Sequence, residues 1–482
     1  MAPALDTPGG GLDVTFCDPS VDGLQALQRR PLMQIAPMLD VSYEDFRQFM
    51  RILIRRSQIW TEMIVANSLL SSQKECRALS GFLDFAGHEH PIVCQLGGSD
   101  PSILAEAAKL VEQWGYDEVN LNVGCPSDRV AGKGEFGASL MKRPEHVREC
   151  VRAMSRAVQI PVTVKTRLGV DEFDSQEFTQ TFVSTVAQGG CKHFIMHARK
   201  AWLSGLSPAQ NRSIPPLQHG RVAALCRSFP DLDVSINGGI CTKEHASGIL
   251  LSAPRNLLGV MVGRAACSNP CMLWDVDRCL YGDAENPLVT ATRRSIADAY
   301  ANYLEEAHPP VDEVATKMCC QTHLALKPIL GLLSGKPGHR NFRQTMELLQ
   351  KDRASRNLGP AELLRRTIQV LDQEPKSRAA LDEILPFAGE PDQLDSDLTA
   401  LLGRDAGSRP DCLDSESPSC APLLGEQLSS VDDASCEKAV MRKEVGDTMN
   451  KFRDFLYSEN LSWRHLSSPR APLYDNVRRH LL

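Results

Sequence analysis

Eight short β-rich runs recur through the first 270 residues: QIAPM (34–38), IWTEMI (59–64), PIVCQLG (91–97), EVNLNVG (118–124), PVTVKTR (161–167), HFIMHAR (193–199), DVSINGG (233–239) and GVMVGRA (259–265). Most are continuous apolar runs, the pattern of strands covered on both faces. Helical spacing fills the gaps between them. Ser99 and Pro101 open one helix, through ILAEAAKLVEQWG, and Gly115 ends it; residues 143–157 predict another. Eight strand–helix units within roughly 250 residues predict an α/β chain folded as a (β/α)8 TIM barrel. A doubly wound sheet, the alternative, rarely needs eight.

Beyond the eighth run the strands stop. Helical patterns follow at 293–306, 313–334, 340–354 and 360–373, with Pro328 placed to kink or divide the second and Pro360 at a first helical position. Short Gly/Pro connections predict a small antiparallel bundle. The expected organisation is an N-terminal extension (1–30), a barrel domain (31–285), a C-terminal helical-bundle domain (286–375), an acidic disordered linker (376–437) and a tail with one short helix-compatible stretch (438–482), so that the tail as a whole is largely disordered.

Charge is spread unevenly along the chain. The net charge of -7 is concentrated in 376–437, which holds 4 Lys+Arg against 14 Asp+Glu and is rich in Ser and Pro. That composition buries too little apolar surface to offset ordering entropy. The ordered part is nearly neutral, so net charge neither supports nor excludes an anionic partner. The bundle carries Lys327, Lys336, His339, Arg340, Arg343, Arg365 and Arg366, either a solvated face or a phosphate-contacting one. With 42% apolar and 23% charged residues, the chain is neither wholly disordered nor fibrous. No apolar run approaches about 18 residues, so no membrane-spanning helix is expected. The first 20 residues lack a basic or apolar signal region. The 16 Cys include no C-x-x-C pair, so no zinc or other metal site is expected, and scattered thiols suit a reducing compartment. A cytoplasmic monomer is the expectation, with an organelle left open.

Barrel enzymes place their chemistry at the C-terminal ends of the strands. Those ends here carry Met38, Glu62, Gln95, Asn122 with Cys125, Lys165 with Arg167, His197 with Arg199, Asn237 with Gly238 and Gly239, and Gly263 with Arg264. The glycines fall on strands seven and eight, where barrels commonly bind phosphate through backbone N–H groups, and Arg264 adds a charge. A phosphorylated cofactor follows, and FMN fits: Gln95 can serve its ring heteroatoms and Lys165 supplies a cation near N1/O2. Lys165 has an alternative as a barrel-core ion pair with Glu62, and His197 as a satisfied core histidine. Cys125 sits between Gly124 and Pro126. A thiol is mostly protonated near neutral pH and suits a general acid paired with a hydride donor; its alternative is a small buried hydrophobe. Asn122 could hold a planar amide or imide edge by paired hydrogen bonds.

The run GYDEVNLNVGCPSDRV with FGASLM, together with APMLD, TEMI, QLGGSD, PVTVKTRLG, HARKAWLSGLSP, NRSIPPL, SINGG and VMVGR, resembles tRNA-dihydrouridine synthases of the A type, over about residues 31–375. The resemblance implies an FMN barrel with a C-terminal helical domain that clasps tRNA. It implies reduction of the C5–C6 double bond of a D-loop uridine with electrons from NADPH or NADH, hydride passing from reduced flavin to C6 and Cys125 protonating C5. It implies FMN contacts from Pro37, Met38, Leu39, Gln95, Lys165, His197, Asn237, Gly238, Gly239, Gly263 and Arg264. Asn122 would hold the target uracil, with Arg167, Arg199, Lys200, Trp202, Asn211 and Arg212 on the RNA side. Residues 130–137 (VAGKGEFG) are one residue longer than in the bacterial members. A catalytically silent tRNA-binding protein and an FMN oxidoreductase for a small molecule are the alternatives. The intact Cys125, Lys165 and His197 weigh against the first, and the basic helical domain against the second.

Overall fold

The computed structural model describes residues 31–75, 79–127, 136–282, 291–309, 318–352, 355 and 358–385. Eight parallel strands close on themselves in chain order: β1 (Met33–Ile35), β2 (Gln58–Val65), β3 (Ile92–Gly97), β4 (Glu118–Asn122), β5 (Val162–Arg167), β6 (His193–His197), β7 (Asp233–Asn237) and β8 (Leu257–Val262). All eight sequence-predicted runs are strands, and the closed barrel is the expected one. Alternate residues face in and out, because successive side chains of a strand point to opposite faces. The outward set, such as Cys94, Leu96, Val119, Leu121 and Val164, joins the main core beneath the helices.

The barrel helices are α1 (Glu44–Leu53), α2 (Ala66–Lys74), α3 (Pro101–Gln113), α4 (Pro144–Ala157), α5 (Gln176–Ala187), α6 (His219–Ser228), α7 (Lys243–Ser252), α8 (Arg264–Ser268) and α9 (Val276–Tyr281). The start of α3 differs from expectation: Asp100, not Ser99, is its N-cap, accepting from the N–H groups of Ser102 and Ile103 at 2.8 and 2.9 Å. Gly115 adopts φ +94° just past its end, the left-handed conformation that only glycine takes without strain.

Four helices expected after the barrel are present as α10 (Arg293–Ala307), α11 (Met318–Leu326), α12 (His339–Lys351) and α13 (Pro360–Leu371). Pro328 does divide the second: α11 stops at Leu326, and a 3-10 turn runs Pro328–Gly331. One boundary needs correction. The start of the expected acidic linker, from residue 376, belongs to a further helix, α14 (Pro375–Asp382). Its Ser377, Ala380 and Leu381 are buried, and Arg294 of α10 reaches Asp372 and Asp382 at 2.6 and 2.5 Å. Acidic composition could not reveal that these carboxylates have arginine partners. The extension 1–30, the rest of the linker, the tail 438–482 and residues 130–135 lie outside the described residues.

α1 is the wall shared by barrel and bundle. Asp45 accepts from the Tyr303 hydroxyl and pairs with His308, each at 2.8 Å; Tyr43 donates to the Leu324 carbonyl at 2.7 Å; and Tyr300 packs edge-on against Phe49. Each bond of this kind contributes on the order of 1 kcal/mol, and all three converge on one helix. No helix among the described residues is long and apolar enough to cross a membrane.

Barrel closure needs close approach between β8 and the chain entering β1. A Cβ at Gly259 would be driven into the Pro31 carbonyl, whereas one at Gly248, inside α7, meets nothing within 4 Å. Gly259→Ala should therefore lower stability by about 1–3 kcal/mol through overpacking. Gly248→Ala should raise it by roughly 0.5–1 kcal/mol, by removing backbone freedom from the unfolded chain. Denaturant midpoints moving in opposite directions at constant slope would show both effects.

Candidate active site

The strand ends converge on one mouth of the barrel. On β4, the polar residues Glu118, Asn120 and Asn122 alternate with Val119 and Leu121, so Asn122 points inward at the rim. Its Oδ1 accepts from the N–H groups of Gly124 and Cys125 at 3.1 and 2.9 Å, and its Nδ2 donates to Gln95 Oε1 at 2.8 Å. Asn122 thus holds the turn on which Cys125 sits. The expected paired grip on a uracil edge is corrected: Oδ1 already accepts twice, and one Nδ2 hydrogen is left to offer. Burial pushes the Cys125 thiol above the usual range. A hydrogen bond from the Ser127 backbone, and then Arg167, Arg212 and Lys165, pull the other way. The thiol is therefore protonated at neutral pH, and three cations stand ready to stabilise the thiolate it would leave.

Arg167 is not an RNA contact in this geometry. It is 4% exposed, and its Nε and Nη1 donate to the carbonyls of Gly124, Lys200 and Asn211 at 2.8, 3.1 and 3.1 Å. It ties the cysteine turn to the 199–212 loop. Asn211 is likewise fully buried, exchanging bonds with the backbone of Trp202 at 2.8 and 2.9 Å and donating to the Leu206 carbonyl at 3.1 Å. It staples that loop instead of facing outward. A strand-end arginine and a loop asparagine carry no mark in sequence that separates a clamp from a contact. Of the loop residues expected to face the RNA, Trp202, with the Lys200 ammonium 4.2 Å over its ring, and Arg212 are exposed. Lys200 is also paired with Asp174 at 3.2 Å.

The two alternatives for Lys165 and His197 are not realised. Lys165 donates to Asn237 Oδ1 at 3.2 Å, while Glu62 accepts from the Val41 N–H at 3.1 Å; no Lys165–Glu62 ion pair forms. His197 is not a satisfied core histidine, because its Nδ1 is buried without a hydrogen-bond partner. Its pKa is held well below the usual value, by burial first and then by Arg167, Lys165, Arg199 and Arg264. Arg199 and Arg212 are depressed too, by burial and by Arg264. Arg264 donates to the Arg212 carbonyl at 2.9 Å, which brings the end of β8 to the 199–212 loop. Among the described residues, no acidic side chain pairs with Arg199, Arg212 or Arg264.

Positive charge gathered without a counter-charge is unfavourable until an anion arrives. The glycines beside it suit a phosphate. Gly238 and Gly239 take φ +114° and +73°, and a Cβ on Gly239 would strike Leu217. A Cβ on Gly263 would meet Ala36 and Met38 at 3.6 and 3.7 Å, ordinary van der Waals contact. An orphaned imidazole nitrogen, a cation set and two left-handed glycines at one mouth fit a phosphorylated, ring-bearing cofactor. Met38 is partly buried at the rim, with Pro37 beside it, and Leu39 is 51% exposed. No cluster of three or more His, Cys, Asp or Glu able to hold a metal occurs among the described residues.

Fold and site together make a closed (β/α)8 barrel whose mouth sets the Cys125 thiol beside a rim of cations and left-handed glycines. The family model described as dihydrouridine synthase matches residues 34–369. A Shewanella oneidensis protein named tRNA-dihydrouridine(20/20a) synthase is 46% identical over 310 residues, 64% of this chain and 86% of its own length. Proteins of the same name from Escherichia coli K12 and Yersinia pestis are 45% and 44% identical over 311 residues, each covering 64% of this chain and 84% of their own. The chain belongs to the dihydrouridine synthase family.

Burial, and then Arg167, drives the Lys165 ammonium down to about 7, against about 10.4 for an unfolded lysine. Folding of the flavin-free protein therefore releases this proton between those values. Stability from this group rises with pH across that window, and the penalty of burying the charge is complete below about pH 7. In Lys165→Met that gain should vanish. Unfolding midpoints of wild type and variant, compared at about pH 6 and about pH 9, should diverge at the lower pH in favour of the variant; parallel curves would count against a buried lysine charge.

Proposed function

We propose that the protein reduces the C5–C6 double bond of D-loop uridines in tRNA, those at positions 20 and 20a that appear in its relatives' names, with FMN as the bound flavin and NADPH as the electron source. The observation that carries this reading is the Cys125 thiol, kept protonated by burial and placed on an Asn122-held turn beside Lys165 and the anion-binding rim. FMN, when bound, supplies the hydride that adds to C6.

The remaining work falls to this chain's own residues. Arg264, Gly238, Gly239 and Gly263 would hold the phosphate. Lys165 and Gln95 would face the flavin's pyrimidine edge, His197 would give its unpartnered Nδ1 a bond, and Pro37, Met38 and Asn237 would border the ring. Asn122 would give its remaining Nδ2 hydrogen to the uracil. Cys125 would pass its Sγ proton to C5, and the thiolate left behind is stabilised by Arg167, Arg212 and Lys165. Arg199, Trp202 and Arg212 would receive the everted nucleoside, since a base must leave its stack to reach a buried site; Lys200, held beneath the Trp202 ring's face, steadies that surface.

The helical domain supports a tRNA-clasping role through fewer residues than its composition suggests. Lys336, Arg365 and Arg366 pair with Glu383, Glu305 and Glu362 at 2.8, 2.6 and 2.8 Å, and Lys327 donates to the Asp40 carbonyl. Arg340 and Arg343, exposed on the first turns of α12, are the members left to meet phosphates. Replacing both with Ala should weaken tRNA binding and flatten the dependence of log affinity on log salt by about 1.5, at roughly 0.7–0.9 per contact. An unchanged slope would remove this surface from the interface.

Cys125→Ala tests the central reading. FMN binding and flavin reduction by NADPH should persist, because neither uses the thiol. Oxidation of the pre-reduced enzyme by unmodified tRNA, followed by stopped flow, should slow by about 10²–10⁴, the usual cost of losing a general acid. A wild-type rate in this variant would place the acid elsewhere.

A further inference from the structure

Inside the barrel, Ala36, Trp60, Val93, Ile195 and Met261 form a sealed apolar cluster between the active-site mouth and the opposite one. The opposite mouth opens on a cavity of about 790 Å³ whose lining includes Gln58, Glu118, Thr163 and His193. On β4 and β5 the apolar seal is interrupted. Asn120 and Thr163, 0% and 2% exposed, stand side by side in register, with Gln95 opposite Asn120 on β3. They complete a line of side-chain hydrogen bonds through the barrel. Asn122 Nδ2 donates to Gln95 Oε1 at 2.8 Å, Gln95 Nε2 to Asn120 Oδ1 at 2.8 Å, Asn120 Nδ2 to Thr163 Oγ1 at 2.9 Å, and the Thr163 hydroxyl to Glu118 Oε1 at 2.5 Å. Gln58 donates to the other Glu118 oxygen at 3.2 Å.

The line has one direction. Burial pushes the Glu118 carboxyl up to about 7; above that pH it is ionised and can only accept, so the single hydrogen of the Thr163 hydroxyl goes to Glu118 and Thr163 can only accept from Asn120. The Asn120 amide must then turn its oxygen to Gln95, and Gln95 its oxygen to Asn122. Asn122 is left with its oxygen toward the N–H groups of Gly124 and Cys125, the orientation the turn requires. Both ends of the line therefore demand the same setting of three amides. We propose that Glu118 and Thr163 are positioning residues for the reaction: from the far mouth of the barrel they set, through Asn120, the face that Gln95 turns to the flavin and the hold of Asn122 on the Cys125 turn. This rests on the function proposed above.

Removing the Thr163 oxygen leaves Asn120 Nδ2 unpaired in a dry layer. The far end of the line then no longer sets the Asn120 amide, which is free to turn. A flipped Asn120 sets Gln95 donor against donor, and the mismatch passes to Asn122 and so to the thiol. Such a fault acts on proton delivery and uracil placement, not on the encounter with NADPH. A polar cluster that served stability alone would slow both halves of the cycle equally, or neither.

The test uses the full chain with FMN bound and compares wild type, Thr163→Val (same shape, no hydroxyl) and Thr163→Ser (hydroxyl kept). Three quantities are read: the visible absorption of the bound oxidised flavin, its reduction by NADPH, and oxidation of the reduced enzyme by saturating tRNA carrying uridine at 20 and 20a. In Thr163→Val, oxidation by tRNA should fall by about ten- to a hundred-fold, the scale of a small misplacement of reacting groups. Reduction by NADPH should be unchanged and the flavin band shifted. Thr163→Ser should restore all three. Glu118→Met, which removes the terminal acceptor at similar volume, should reproduce the selective slowing if the valine variant does not fold. Wild-type tRNA oxidation in either variant, equal slowing of both half-reactions, or a serine variant as slow as the valine one would overturn the inference while leaving the function standing. A wild-type enzyme that tRNA does not oxidise would overturn both.

Discussion

Closure of the eight-stranded sheet runs through the three-residue β1, and every later feature of the molecule follows from it. Met33–Ile35 is paired on one side with β2 and on the other with β8, and the contact tolerates no side chain at Gly259. Once the ring is closed, every odd or even position along a strand is committed to the interior or to the helices. That commitment puts residues from distant parts of the chain, such as Lys165 with Asn237 and Gln95 with Asn122, within bonding distance at one mouth. Closure also leaves no free strand edge, so the loops beyond the strand ends can be given over to binding.

At that mouth electrostatic repulsion dominates. Lys165, Arg167, Arg199, Arg212 and Arg264 come together with no acidic side chain pairing with the last three among the described residues, and their mutual repulsion, added to burial, lowers the proton affinity of His197 and Lys165. The same cations oppose the burial that keeps the Cys125 thiol neutral. A site so arranged carries unfavourable charge that an anion would relieve, and its cations would favour a thiolate at Cys125. Holding a group protonated beforehand and stabilising its conjugate base afterwards is what a general acid needs.

The helical domain shows what a count of charges misses. Seven of its basic residues stand out in sequence, but Lys336, Arg365 and Arg366 of these pair with carboxylates of the same domain. The acidic stretch that reads as linker supplies Asp382 to Arg294 and Glu383 to Lys336, and its start forms a helix. Apart from the i,i+4 pair Arg366–Glu362, the pairs are long-range, between residues as far apart as Arg294 and Asp382, and no local pattern announces those.

The barrel itself was legible in the chain, because strand–helix alternation repeated eight times has few other ways to bury its apolar runs. So were the residues that stand at strand ends, and the dipeptide Gly124–Cys125 with Pro126 marked the turn that carries the candidate acid. What each of those residues does there was settled only by folding. Arg167 and Asn211 became clamps because their donors found backbone carbonyls from other loops. Lys165 met Asn237 instead of Glu62. The polar line from Glu118 to Asn122 exists only because strand register sets Gln95, Asn120 and Thr163 abreast; its trace in the sequence was the alternation E-V-N-L-N within a chain of otherwise apolar strands. Spacing along the chain fixes which face a side chain takes, whereas its partner is fixed by register and closure, which belong to the assembled sheet.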